Sequence, residues 1–147
     1  MTWKMPNSYR PKHFALVELV DEPVFRERGE HAWELLRPDA LETLDRLRSV
    51  FGPIIVNNWF TGGSYSESGL RRPTTGTGAK WSMHKYGGAF DCKFTSGTTP
   101  REAFAYIMAR PEEFPLLTTL EDVEKTVSWL HFDCRNHDKG GIWVVNP

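Results

Sequence analysis

The stretch SMHKYGGAFDCKF, residues 82–94, joins a histidine to an aspartate through a glycine turn. Its last six residues form a short, mostly apolar run after a turn signal, which predicts a β-strand. The pair Gly87-Gly88 lets the chain change direction before this strand, because glycine adopts backbone conformations that other residues avoid. We therefore expect Asp91, inside the strand, to come back beside His84, which precedes the turn.

A second stretch, SWLHFDC at residues 128–134, also predicts a strand, since it is short and rich in apolar residues. Side chains along a strand alternate between the two faces of a sheet, so His131 and Asp133 share one face. If this strand lies beside the first, Asp91 and His131 can lie on the same face of the sheet.

Two cysteines, Cys92 and Cys134, each follow an acidic residue in these strands. Two are too few for a disulfide scaffold, and they lack the CxxC spacing of a thiolate zinc site. When Asp91 and His131 share one face, alternation sends both cysteines to the opposite face. We therefore expect both to pack in the core as small apolar side chains.

The order of the remaining elements indicates the fold class. Pro38 suits the first turn of a helix and Gly52-Pro53 ends it, so residues 1–52 are expected to form a helical N-terminal part. Residues 53–147 are expected to form a sheet part that contains His84, Asp91 and His131, with one inserted helix after Thr99 and strands over 53–57, 89–94, 128–134 and 142–145. Helices followed by strands predict an α+β fold: a single domain with N-terminal helices packed on a small, mostly antiparallel sheet.

The composition is typical of one globular domain, with 147 residues, 39% hydrophobic and 25% charged residues, and a formal net charge of −1. The chain has no basic stripe, so we expect no nucleic-acid partner. No apolar run approaches the roughly 20 residues of a membrane span, so we expect no membrane partner. The first residues lack the apolar segment of a secretory signal, so a substrate outside the cytoplasm would require another route of delivery.

Two of the five histidines, His84 and His131, lie in settings that suggest chemistry. Two histidines and one carboxylate are a usual ligand set for catalytic zinc, with the fourth position left for water. Bound zinc lowers the pKa of that water and polarises a carbonyl group. We therefore expect one zinc ion per chain, held by His84, Asp91 and His131.

The same residues carry a resemblance to a known family. The pattern is similar to that of the zinc D-Ala-D-Ala carboxypeptidase / L-alanyl-D-glutamate endopeptidase family, especially its phage-borne members, over about residues 53–135: Ser82-x-His84-x-x-Gly87-x-Ala89-x-Asp91, then Trp129-x-His131-x-Asp133. The resemblance implies the hedgehog/DD-peptidase fold. It also implies that His84, Asp91 and His131 are zinc ligands, and that the substrate is a stem peptide of bacterial peptidoglycan.

The long loop at residues 61–80 supplies the expected substrate-binding residues. The family has an arginine after the first strand that binds a substrate carboxylate, and Arg71 is the first choice here, with Arg72 as the alternative. A guanidinium suits this role because its planar fork donates two parallel hydrogen bonds to a carboxylate. The resemblance also places Ser82 in a supporting position near the ligands.

The general base of the family does not have an obvious counterpart. Family members keep a glutamate or histidine two or three residues before the last histidine, where this chain has Trp129 and Ser128. The hedgehog branch keeps a glutamate further upstream, which favours Glu124. Asp133 and Glu121 are the alternatives, and a further possibility is that none of the three is the base.

Tryptophans flank the expected site in sequence. We assign Trp81 and Trp129 to the wall of a substrate cleft, and Trp59 to packing.

The leading hypothesis is a zinc metallopeptidase that hydrolyses peptidoglycan stem peptides and is encoded by a bacteriophage. It would act either as an endolysin, in the host cytoplasm before lysis, or as a virion component beside other phage tail proteins. The alternative is a non-catalytic structural or binding protein of the virion that keeps the peptidase fold and the metal site. The absent base motivates this alternative.

Overall fold

The computed structural model describes residues 9–147, which form three α-helices and five β-strands. The helices are α1 (Glu22–Arg28), α2 (Pro38–Phe51) and α3 (Pro100–Ala109). The strands are β1 (Ile54–Ile55), β2 (Ala89–Phe94), β3 (Thr119–Glu121), β4 (Leu130–Asp133) and β5 (Trp143–Val145). Short 3₁₀ turns lie at Leu16–Glu18, Gly29–Leu35, Trp59–Thr61, Met83–Tyr86 and Pro111–Glu113.

The strands form one sheet in the order β1-β2-β4-β3-β5. All neighbouring pairs are antiparallel except β3 and β5, which run parallel. The expected α+β class with a mostly antiparallel sheet is confirmed. No helix among residues 9–147 combines the length and apolar composition needed to cross a membrane.

The three-residue strand β3 is the main difference from the sequence-based expectation, which treated this region as a connector. β3 lies between β4 and β5, so it joins the edge strand β5 to the rest of the sheet. The four expected strands are present, but three are shorter than predicted.

Helices α2 and α3 pack on one face of the sheet. Pro38 stands at the first turn of α2, as predicted, and Gly52 ends the helix with a φ of 80° that favours glycine. Thr99 caps α3, since its side chain accepts a hydrogen bond from the backbone N–H of Glu102. One core joins the two parts of the chain, with buried members from α2 (Leu41, Leu44, Leu47), α3 (Ala103, Ile107) and the sheet (Phe90, Leu120, Leu130, Phe132).

Both cysteines lie in this core, as predicted. Cys92 and Cys134 are free thiols that are 0% and 2% exposed. Burial raises the pKa of Cys134 to about 12, and the pKa of Cys92 is also raised, so both thiols stay protonated. They therefore act as packing residues.

The turn after His84 rests directly on the helical part of the chain. Gly87 has a φ of 72°, and a Cβ atom at this position would lie 1.9 Å from the carbonyl oxygen of Leu35. The backbone N–H of Arg37 donates to the carbonyl oxygen of Gly87 over 3.0 Å. Only glycine fits both the backbone conformation and the close contact.

Candidate metal centre

Three predicted ligands converge on one point of the sheet. The Nε2 atom of His84 lies 3.2 Å from Nδ1 of His131 and 3.3 Å from Oδ1 of Asp91. The Nδ1 atom of His131 lies 2.9 Å from the same Asp91 oxygen. One ligand atom from each residue falls within 4.8 Å of the others, so the cluster could hold a metal ion.

Strand register places two of these ligands side by side. Asp91 of β2 pairs directly with His131 of β4, which puts the two side chains on the same face. His84 reaches them from the 3₁₀ turn before β2, where Ser82 accepts a hydrogen bond from the His84 backbone N–H over 3.3 Å. Ser82 therefore caps the turn that carries His84.

The outer nitrogen of each histidine is already bonded to the protein. Nδ1 of His84 lies 2.9 Å from the carbonyl oxygen of Gly69, which can only accept a hydrogen bond. Nε2 of His131 lies 2.8 Å from Oδ2 of Asp133. Such partners fix the tautomer, because a proton on the outer nitrogen leaves the inner nitrogen able to bind a metal.

Asp133 is held in this orienting position by an arginine. Its side chain is fully buried, and Arg135 donates to its two oxygens over 2.7 and 2.6 Å. Burial would raise the pKa of Asp133, but its bonds to Arg135 and His131 lower it to about 2. The structure therefore places Asp133 behind His131, with both oxygens engaged, and away from the open side of the centre.

The centre concentrates buried charge. Burial would raise the pKa of Asp91, yet the two histidines hold it well below its usual range. Burial would lower the pKa of His131, but the hydrogen bonds to Asp133 and Asp91 raise it to about 10. Without a bound cation, protonation of His131 adds to the positive charge that Arg71 and Arg135 already place beside these carboxylates.

Glu121 extends the ligand row onto a third strand. β3 pairs with β4 through Thr119 opposite Asp133 and Leu120 opposite Phe132, so the next position brings Glu121 beside His131. Its Oε1 lies 3.4 Å from Nδ1 of His131, and the side chain lines the open cleft. Burial raises the pKa of Glu121 above its ordinary value.

Glu124, the first choice for the base from sequence, is not brought to the centre. Its carboxylate pairs with Arg101 of α3, and its side chain is 60% exposed. It is not among the residues that line the cleft over the centre. Among the three carboxylates considered, only Glu121 faces the open side.

The two candidate arginines point to different places. Arg71 lines the cleft, with Nη2 3.5 Å from Oδ2 of Asp91 and Nε donating to the carbonyl oxygen of Glu67 over 2.6 Å. Arg72 instead pairs with the fully buried Asp21 over 3.1 Å and with the Glu67 carboxylate over 3.4 Å. Arg71 is therefore the one whose guanidinium can meet a ligand in the cleft.

A cleft of about 490 Å³ lies over the centre. Its walls include Trp81 and Trp129, where the sequence placed them, and also Trp143 of β5, which the sequence did not single out. Trp59 packs instead: its indole N–H donates to the carbonyl oxygen of Val20 over 3.0 Å.

Several residues of the site carried weak sequence signals or none. Glu121 was only a minor candidate because β3 was not predicted, although the alternation Thr119-Leu120-Glu121 was a faint strand signal. The carbonyl oxygen of Gly69 is a backbone group, which residue type does not report. Arg135 follows the second motif by two residues, and that spacing could have marked it as a partner of Asp133.

Comparison with known proteins adds no relatives: no family model, curated protein or solved structure matches the chain. The chemistry of the centre and the cleft is therefore the basis for assigning a function.

Proposed function

We propose that this protein is a zinc-dependent peptidase that hydrolyses peptide bonds in the stem peptides of bacterial peptidoglycan. The observation that carries the proposal is the cross-strand row of Asp91, His131 and Glu121, on which His84 converges. This row and His84 together provide a set of metal ligands, and Glu121 adds a carboxylate on the open side of the same face.

Zinc fits this donor set. Two imidazole nitrogens and one carboxylate oxygen are ligands that zinc prefers, and an incomplete protein shell is typical of catalytic sites. His84 Nε2, His131 Nδ1 and Asp91 Oδ1 would hold the ion, and Gly69 and Asp133 would orient the histidines. When bound, zinc makes water nucleophilic near neutral pH and polarises the carbonyl of the scissile bond.

Glu121 is the residue that we assign to proton transfer. Its raised pKa brings the carboxylate closer to the range in which it can both accept and return a proton near neutral pH. It would take a proton from the attacking water and deliver it to the leaving nitrogen as the C–N bond breaks. Its position beside His131 is compatible with both transfers.

Arg71 is the residue that we assign to substrate binding. Its side chain is only 10% exposed, and the Glu67 carbonyl fixes the guanidinium in the cleft wall. A fixed, partly desolvated guanidinium binds a carboxylate more strongly than an exposed one. Stem peptides carry such carboxylates, so Arg71 would set the position of the peptide relative to the centre.

The family resemblance supports the finer parts of this proposal. The two motifs lie on β2 and β4 of a small sheet covered by helices, which is compatible with the hedgehog/DD-peptidase fold. We extend the proposal to a phage-encoded enzyme, either an endolysin or a tail-associated virion component. The alternative of a non-catalytic virion protein is motivated by the absence of a base at the family's position, and the place of Glu121 in the cleft beside His131 favours the enzyme instead.

The test is to incubate the zinc-loaded protein with purified peptidoglycan and identify new amino and carboxyl ends by mass spectrometry. We expect Glu121→Gln to retain zinc and to lower kcat by about 10²–10⁴-fold, the usual effect of removing a general base. Glu124→Gln is the matched control: its carboxylate pairs with Arg101 on the surface, so the rate should not change.

Absence of new ends, with one zinc ion bound per chain, would contradict the peptidase proposal and favour the non-catalytic alternative. Equal rates for Glu121→Gln and the unaltered protein would contradict only the role of Glu121.

A further inference from the structure

An aromatic platform lies at the rim of the cleft. Trp81 is 71% exposed, the highest value among the exposed large hydrophobic residues of the described chain. Its ring stacks on Tyr86 at a centroid distance of 6.2 Å and an interplanar angle of 14°. Most of the Trp81 side chain stays exposed beside this stack, and Trp81 also lines the cleft over the metal centre.

The cleft tryptophans differ from the packed ones in their hydrogen bonds. The indole N–H of Trp33 donates to Glu30, and that of Trp59 donates to the carbonyl of Val20, each over 3.0 Å. The three that line the cleft, Trp81, Trp129 and Trp143, have no acceptor for their indole N–H among residues 9–147. No protein acceptor among these residues therefore competes for the three donors, and a ligand with acceptor oxygens can engage them.

A sugar ring matches both the exposed indole face of Trp81 and the indole N–H donors of the cleft. One face of a pyranose presents C–H groups, which pack on the electron-rich face of an aromatic ring, and its rim presents hydroxyl oxygens that accept hydrogen bonds. Stem peptides alone offer mostly small and charged side chains, which would leave an exposed indole face without a flat partner. Lys80, with Nζ 5.5 Å from the Trp81 ring centroid, adds positive charge at the same rim.

We propose that the cleft binds the sugar that bears the stem peptide as well as the peptide, so that the preferred substrate is a muramyl peptide. This inference rests on the proposed function, because it names the substrate class of the same site. Trp81 would hold the sugar at the rim beside His84, while Arg71 would hold a peptide carboxylate inside the cleft.

Calorimetry on the zinc-loaded Glu121→Gln protein tests this inference without turnover. The probes are a free stem peptide, the same peptide linked to N-acetylmuramic acid, and the disaccharide of N-acetylglucosamine and N-acetylmuramic acid without peptide. We expect the muramyl peptide to bind about tenfold more tightly than the free peptide, the scale of one well-packed aromatic contact.

Trp81→Ala should abolish that difference, so that the muramyl peptide and the free peptide bind with the same affinity. The residue is largely exposed, so the substitution should not affect folding. Phe60→Ala is the matched control, since Phe60 is a 42% exposed aromatic residue that does not line the cleft. It should keep the full preference for the muramyl peptide.

The outcomes separate the two proposals. Equal affinity for free and sugar-linked peptide, or an unchanged preference in Trp81→Ala, would overturn the sugar site and leave the peptidase intact. Binding of the disaccharide by a zinc-loaded protein that neither binds nor cleaves the peptide would support the sugar site and contradict the peptidase.

Discussion

Two rows of side chains cross the same three strands, one residue apart, and have opposite chemistry. One row is charged and faces the cleft: Asp91, His131 and Glu121. The other is apolar and faces the helices: Phe90, Phe132 and Leu120. The strands cannot shift by one residue without exchanging the rows, which would bury the charges and expose the core. The requirement to bury the apolar row therefore fixes the geometry of the charged one.

The rows also differ in what they contribute to stability. Each residue of the apolar row is 0% exposed, and burial of such side chains is a main source of folding free energy. Buried charges have a desolvation cost that their ion pairs offset only in part. The charged row thus lowers stability while the apolar row raises it, and substitutions in the two rows should have separable effects.

The largest expected effect is on metal binding. His131→Ala should reduce zinc from one ion per chain to none, because it removes one of only three protein ligands. Elemental analysis of the purified protein measures this stoichiometry. His137→Ala is the matched control: its ring bonds to the Thr118 carbonyl over 2.8 Å, outside the centre, so zinc content should not change. Full zinc occupancy in His131→Ala would show that the row does not bind the metal.

A substitution at Phe132, one residue along β4 from His131, should lower stability and leave zinc binding intact. Phe132→Ala should lower the free energy of unfolding by about 3–5 kcal/mol, since it leaves a cavity between the sheet and the helices. The molecules that remain folded should still bind one zinc ion. Denaturant unfolding and metal analysis on the same sample measure the two quantities. Loss of zinc from folded Phe132→Ala protein would mean that the rows are not separable.

Arg71 and Arg72, in one loop, differ in the same way: Arg71 faces the cleft, and Arg72 pairs with the buried Asp21. Arg71→Ala should raise KM for stem peptides roughly 10–100-fold, because it removes the charge that faces the cleft. Arg72→Ala should leave KM unchanged and lower stability by about 1 kcal/mol, because Asp21 is fully buried and loses one hydrogen bond. Steady-state kinetics and thermal unfolding of both variants distinguish the roles. Equal changes in KM would contradict the assignment of Arg71.

The smallest expected effect is the release of one proton when zinc binds. Asp133 and Asp91 raise the pKa of His131 to about 10 in the metal-free protein, so its ring is protonated at pH 7. Zinc can bind Nδ1 only after that proton leaves. Binding at pH 7 should therefore release one proton from His131, and the apparent affinity should rise about tenfold per pH unit between pH 6 and 8. Calorimetry in buffers of different ionisation enthalpy measures the released proton; none released would contradict the charge state of His131.

The cluster of the three proposed metal ligands could be predicted from sequence because local rules bring these residues together. Alternation along β2 and β4 places Asp91 and His131, and the glycine turn places His84. Glu121 depended on a three-residue strand whose formation requires β4 and β5 as partners. Pairing between segments that are distant in sequence leaves little local signal, so Glu121 was a minor candidate. The preference for Glu124 came from the resemblance to the hedgehog branch. The choice between Arg71 and Arg72 likewise required the buried position of Asp21.

The contact of Gly87 with Leu35 bears on how such a centre can be transferred between proteins. All three ligands lie in the sheet part, which suggests a cassette that could be moved alone. Yet the turn that carries His84 packs against residues 35–37 of the helical part. The segment that holds the His84 ring, at Gly69, is also bonded to the helical part, because the Leu70 N–H donates to the Leu19 carbonyl oxygen over 2.8 Å. The helical part therefore supports the turn that carries His84, and a graft of the centre must include the helical part as well as the sheet part.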